Sequence, residues 1–81
     1  MLVIFKNEEK YFEGTPISLS EENGQFLNIE IREFIDITKG DNIKVEYTKD
    51  DSSFSWQGDV VVSTKFIIPE QKQFIVIKIM Q

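Results

Sequence analysis

The C-terminal run Phe74-Ile75-Val76-Ile77-Lys78-Ile79-Met80 constrains this chain more than any other stretch. It is the most apolar run in the sequence. β-branched residues dominate it, which disfavours a helix and suits a pleated strand. Successive side chains of a strand point to opposite faces, so Ile75, Ile77 and Ile79 share one face while Phe74, Val76 and Met80 share the other. A strand apolar on both faces asks for cover on both sides or a place inside a closed barrel. The spacing predicts that the other strands pack around this one.

The rest of the chain repeats the period of two. Leu2 to Lys6 reads as a first strand, Asn7-Glu8-Glu9-Lys10 as a polar turn, and Tyr11-Phe12-Glu13 as the return strand. Pro16 cannot donate to a ladder and marks an edge or a strand start. Ser20 to Gly24 reads as a turn whose sharpest signal is Asn23-Gly24, the pair that favours positive φ at both central positions of a type I′ hairpin. In 25–32, Leu27, Ile29 and Ile31 alternate with Asn28, Glu30 and Arg32. In 43–47, Ile43, Val45 and Tyr47 point inward. Phe54 and Trp56 share a face, Gly58-Asp59 reads as a turn or bulge, and Val60-Val61-Val62 as a central strand. Pro69 to Lys72 turns the chain into the C-terminal strand. The segment 33–38 is ambiguous: an irregular link or one helical turn. The pattern predicts an all-β single domain over 1–81. Its architecture is a small antiparallel β-barrel or sandwich of about six to seven short strands with at most one short helical turn.

The chain has 81 residues, near the lower limit for a self-sufficient core. Seven Phe and one Trp are the expected bulk of that core. Domains this small often add core by dimerising, so a homodimer is one expectation. There is no Cys and no His. That excludes disulfides, zinc-thiolate sites, cysteine nucleophiles and a histidine general base, and no enzyme activity is expected. The four glycines stand singly, without a phosphate loop or dinucleotide fingerprint, so no cofactor is expected. Asp50-Asp51, Glu8-Glu9 and Glu21-Glu22 read as solvated turns rather than metal ligands. The net charge of −5 argues against nucleic-acid binding, which needs a basic footprint, and fits solubility or docking on a basic partner surface. The apolar Met1 to Phe5 is too short for a signal or a membrane span, and a soluble cytoplasmic protein is expected.

Few residues stand out as sites. Trp56, with Phe54 and Tyr47, reads either as core or as an aromatic platform for a ligand. Arg32 is the sole arginine, suited to forked recognition of an anion or to a surface pair with Glu30 or Glu33. Tyr11 and Phe12 are adjacent, so one of them faces out. Beside Glu8 and Glu9 such an aromatic marks a protein interface.

Three places give the chain a likeness to a known family. Ser18-Leu19-Ser20-Glu21-Glu22-Asn23-Gly24 resembles a turn with Ser and Gly after an early strand. Lys39-Gly40-Asp41-Asn42-Ile43-Lys44-Val45 resembles a Gly-Asp turn into a middle strand. Gly58-Asp59-Val60-Val61 with Phe74-Ile75-Val76-Ile77 resembles a closing strand pair. Together they resemble a reduced PilZ-type barrel. PilZ domains bind cyclic di-guanylate through two arginines spaced four apart and a turn of Asp or Asn, then Ser, then Gly. This chain lacks the paired arginines, has Ser18 where the acid or amide belongs, and has Gly24 one residue late. The resemblance therefore implies a barrel that acts through contacts with another protein, and the negative charge, the missing catalytic residue types and open strand edges point the same way, to an adaptor, a regulator or, by analogy with other small acidic proteins, a phage-type inhibitor. The alternative it implies is a receptor for a cyclic dinucleotide or other small anion, with Arg32, Ser18, Ser20 and Trp56 near the ligand.

Overall fold

A computed structural model describes residues 1–80. The alternation of apolar and polar residues is realised as seven strands: β1 (Leu2–Lys6), β2 (Glu9–Gly14), β3 (Ser18–Glu22), β4 (Phe26–Ile31), β5 (Asn42–Lys49), β6 (Ser52–Phe66) and β7 (Lys72–Ile79). They form one sheet in the order β2-β1-β5-β6-β7-β4-β3, and every neighbouring pair is antiparallel. There is no helix among the described residues, so none long and apolar enough to cross a membrane.

The sheet is curled. Its two edge strands, β2 and β3, are joined by only Thr15, Pro16 and Ile17, so the edges meet at one end although they do not pair. A flat sheet is about 10 Å thick, whereas the shortest dimension here is 27 Å. The curl centres on β6. Residues 52–59 of this strand pair with β5, and residues from Gly58 to Phe66 pair with β7. The overlap is only Gly58 and Asp59, so the sheet consists of two half-sheets that share one bent strand. Two devices make the bend. A bulge at Val61 shifts the register between Val60 and Val62. At Gly58 a Cβ would lie 2.1 Å from the Lys78 carbonyl oxygen, so only glycine lets the backbone of β7 come this close. Trp56 bridges the halves from the other side, its indole N–H donating to Glu21 on β3 at 2.8 Å.

The curl encloses an aliphatic core. Leu2, Ile4, Leu27, Ile29, Ile31, Ile37, Ile43, Val45, Val60, Ile75 and Ile77 are essentially inaccessible, and Phe12 and Ile35 join them. Of the residues expected on shared faces, Leu27, Ile29 and Ile31, Ile43 and Val45, and Ile75 and Ile77 are in this core, with Tyr47 and Ile79 partly buried against it. An aromatic core is not formed: among the described residues Phe12 is the only buried phenylalanine, and aliphatic, mostly β-branched residues fill the interior instead.

Three local expectations are corrected. Ser20 to Glu22 belong to β3, and the turn is confined to Asn23, Gly24 and Gln25, with φ of 54° and 65° at the first two. The chain does not turn at Gly58-Asp59; β6 runs through it for 15 residues, because the glycine serves close packing rather than reversal. The C-terminal strand lies inside the sheet between β6 and β4, but β6 is the middle strand.

The segment between β4 and β5 is irregular, and its polar groups are satisfied by buried side chains. Gln73 is fully buried. Its Oε1 accepts from the Ile35 N–H at 2.8 Å, and its Nε2 donates to the Ile37 carbonyl at 3.3 Å and to Ser63 Oγ at 3.1 Å. Ser63 in turn donates to the Ile37 carbonyl at 2.6 Å. This latch presses Ile35 and Ile37 into the core.

Candidate functional site

A groove of about 440 Å³ lies on the outer face of the first half-sheet, lined by Phe5, Asn7, Glu8, Asn42, Lys44, Glu46 and Gln57. Its floor follows from strand pairing. β1 pairs β5 with Phe5 opposite Lys44, and β5 pairs β6 with Lys44 opposite Gln57. These residues are the outward phase of the alternation whose inward phase is Ile4, Val45 and Trp56. Several polar groups of the groove are fixed. Gln57 Nε2 donates to Asn42 Oδ1 at 2.9 Å, Asn42 Nδ2 donates to Asp59 at 3.0 Å, and Lys44 pairs with Glu46 at 3.4 Å.

The lip of the groove is the β1–β2 turn, where both Asn7 and Glu8 are left-handed, with φ of 54° and 67°. Asn tolerates this conformation, whereas a residue such as Glu loses about 1–2 kcal/mol in it. Other left-handed turn positions of the chain are held by Asn23, Gly24 and Asp50, residue types that tolerate this conformation. Glu8 is exposed, and its carboxylate has no partner among the described residues.

The turn stands on a fixed base. Lys6 donates to the Asp36 carbonyl at 2.9 Å, contacts Asp41 at 3.4 Å and lies 4.8 Å above the ring of Tyr11. Burial alone would lower the pKa of Lys6; the hydrogen bond it donates to Asp41 and the charges of Asp41, Tyr11 and Asp36 outweigh it, and the net shift is upward from 10.5. Asp41 is held below 3.8, chiefly by the Thr38 N–H at 2.8 Å. Its burial works against this, and Lys6 and the Thr38 hydroxyl reinforce it.

The residues expected from sequence fall in several places. Glu8 is on the groove lip, and Glu9 is the exposed first residue of β2. Of the adjacent aromatics, Phe12 is in the core and Tyr11 is half-buried beneath Lys6. Phe12 is thus unavailable to a partner in the folded chain. Ser18, Ser20 and Arg32 belong to the far half-sheet and its exit. Ser18 donates to Glu30 at 3.2 Å, and Arg32 pairs with Glu70 at 2.7 Å rather than with Glu30 or Glu33. Trp56 is half-buried against the core and stacks on Phe54 with ring centroids 6.0 Å apart. None of these four lines the groove.

Phe5, Asn7, Asn42, Lys44, Glu46 and Gln57 were not singled out by sequence. The alternation marks Lys44 and Glu46 as outward, but no local signal tells that β1 lies against β5. Among the described residues, no three acidic side chains converge to hold a metal ion. No protein-family model, curated protein or solved structure matches this chain.

Proposed function

We propose that this chain is a noncatalytic β module that acts by docking on another protein, with the β1–β2 lip and the groove behind it receiving a basic segment of that partner. The observation that carries the reading is Glu8. It occupies a left-handed position that glycine would fill without strain, and it presents an unpaired carboxylate over the groove. Backbone strain kept at an exposed position points to a role outside folding. The half-apolar groove with a charged lip suits a peptide whose aliphatic stem lies on Phe5 and whose cationic end meets Glu8. The acidic balance of the chain favours the same class of partner by steering it.

The test is a photo-crosslinking side chain placed at Gln57 in the native host, with Asp51 in the β5–β6 turn as the control position. A discrete adduct from position 57, absent from position 51 and lost on Glu8→Lys, is expected. An adduct pattern indifferent to Glu8→Lys would refute the reading. A melting temperature raised by cyclic di-guanylate, and lowered again by Arg32→Ala, would support the receptor alternative instead.

A further inference from the structure

The C-terminal strand is apolar on both faces, and its outer face borders an exposed apolar strip on β6. Ile75 and Ile77 face the core; on the opposite face Phe74 is half-buried and Val76 is buried among its neighbours, while Val62 and Phe66 beside them are exposed. Opposite them on β6 are Thr64 and Val62, and the strip runs on through Phe66 to the hairpin tip. There Ile67 and Ile68 are 75% and 83% exposed. Contiguous exposed apolar surface of this kind marks an interaction site.

We propose that the outer face of the β6–β7 hairpin is a self-association surface on which two copies of this chain pack about a two-fold axis running along the hairpin. The register names the occupant. Such an axis lays β6 of one copy over β7 of the other, so residues level with each other within one chain meet across the interface. Val62 is level with Val76, Thr64 with Phe74, Phe66 with Lys72 and Asp59 with Lys78. Each row joins compatible types: apolar on apolar, a methyl-bearing Thr on an aromatic ring, a cation on a ring, and an ion pair. Lys72 already lies 5.5 Å over Phe66 within the chain, so that row repeats a contact the fold itself makes. Lys78 has no carboxylate partner among the described residues, and the second copy supplies Asp59.

Charge agrees with this choice. The face carries Lys72 and Lys78 against Glu30 and Asp59, a balance of zero on a chain of net −5, so it does not repel its own copy. The same axis brings the two tips together, which covers Ile67 and Ile68. A specific dimer needs about 1,000 Å² of total buried surface, or about 500 Å² per copy. That is about a tenth of the 5251 Å² of the chain. The inference does not rest on the groove, which lies on the other half-sheet and meets this face only at Asp59, the acceptor from Asn42.

Sedimentation equilibrium on the full chain from about 1 to 500 µM tests it, a range that spans ordinary homodimer affinities. Twice the monomer mass at the upper end is expected. Val62→Lys, an exposed change that keeps the fold, is expected to weaken association at least about tenfold, while Glu8→Lys leaves it intact. The chain has no cysteine, so Ile68→Cys reports the tip directly. Oxidation should give a disulfide-linked dimer, and Ser52→Cys should not. A monomer throughout, a dimer indifferent to Val62→Lys, or a monomer that binds lipid vesicles through Ile67 and Ile68 would each overturn the proposal.

Discussion

Replacing Gln73 by leucine tests how the irregular segment is held. The two side chains have similar volume, so packing is retained while three hydrogen bonds are lost, those with Ile35 N, Ile37 O and Ser63 Oγ. The Ile37 carbonyl keeps the Ser63 hydroxyl at 2.6 Å. The Ile35 N–H keeps nothing, and an unsatisfied buried donor costs about 1–3 kcal/mol. With the net loss of the other two bonds, each about 0.5–1.5 kcal/mol, partly offset by the apolar gain, the sum is about 2–4 kcal/mol. A domain of 81 residues has about 4–12 kcal/mol of stability at 0.05–0.15 kcal/mol per residue. The variant therefore loses a large share of its total. Urea unfolding followed by the fluorescence of Trp56, the single tryptophan, measures it. A drop in midpoint at unchanged slope is expected. Ser63→Ala combined with Gln73→Leu should cost more than the sum of the singles, because either side chain alone still satisfies the Ile37 carbonyl and only the double variant leaves it without a donor. A loss below about 0.5 kcal/mol for the single change would refute the latch, since a surface substitution costs no more.

Other perturbations separate the remaining parts of the fold. Gly58→Ala places a Cβ 2.1 Å from the Lys78 carbonyl oxygen, so a loss of about 3 kcal/mol or failure to fold is expected, read by circular dichroism and melting. Glu8→Gly relieves the left-handed strain of about 1–2 kcal/mol at some cost in unfolded-state entropy. It should raise the melting temperature by about 2–8 °C while weakening partner binding, and a lowered melting temperature would dismiss the strain. Asp41 has a folded pKa below 3.8, so its contribution is present above that value and lost as pH falls through the folded pKa. Asp41→Asn should flatten the acid limb of stability against pH. Lys6 has a folded pKa above 10.5, so its contribution is present below that value and lost as pH rises through the folded pKa. Lys6→Met should therefore flatten the alkaline limb and also weaken the acid limb in part, because Lys6 helps hold the Asp41 carboxyl down.

What could be read from sequence was whatever repeats with the period of the strand. The inward faces of β4 and β5 follow from alternation alone, because each is written as apolar-polar-apolar over five residues, whereas β7 is apolar on both faces and only its strand character was legible. The Asn23-Gly24 turn was legible because its backbone needs are local. Gly58 was misread because a glycine inside a strand signals a turn and a close approach equally well, and the approaching backbone is 20 positions away at Lys78. Gln73 was invisible for a similar reason. A polar residue beside an apolar run reads as a strand end, and only the folded chain brings Ile35 and Ile37 to it. The groove combines β1, β5 and β6, whose adjacency no single segment encodes.

The bent β6 strand has a consequence for how the molecule works. Its first half carries Gln57 in the groove; its second half carries Val62, Thr64 and Phe66 on the self-association face. The two residue sets do not overlap, so occupying one leaves the other open. A paired molecule then carries two grooves, and a partner with two basic segments gains effective concentration for the second contact once the first is made. Binding to such a partner should fall on Val62→Lys although no groove residue has changed, whereas binding to a single-segment peptide should not. Equal losses for both ligands would mean that Val62 acts through the groove itself, and the division of labour along β6 would be untenable.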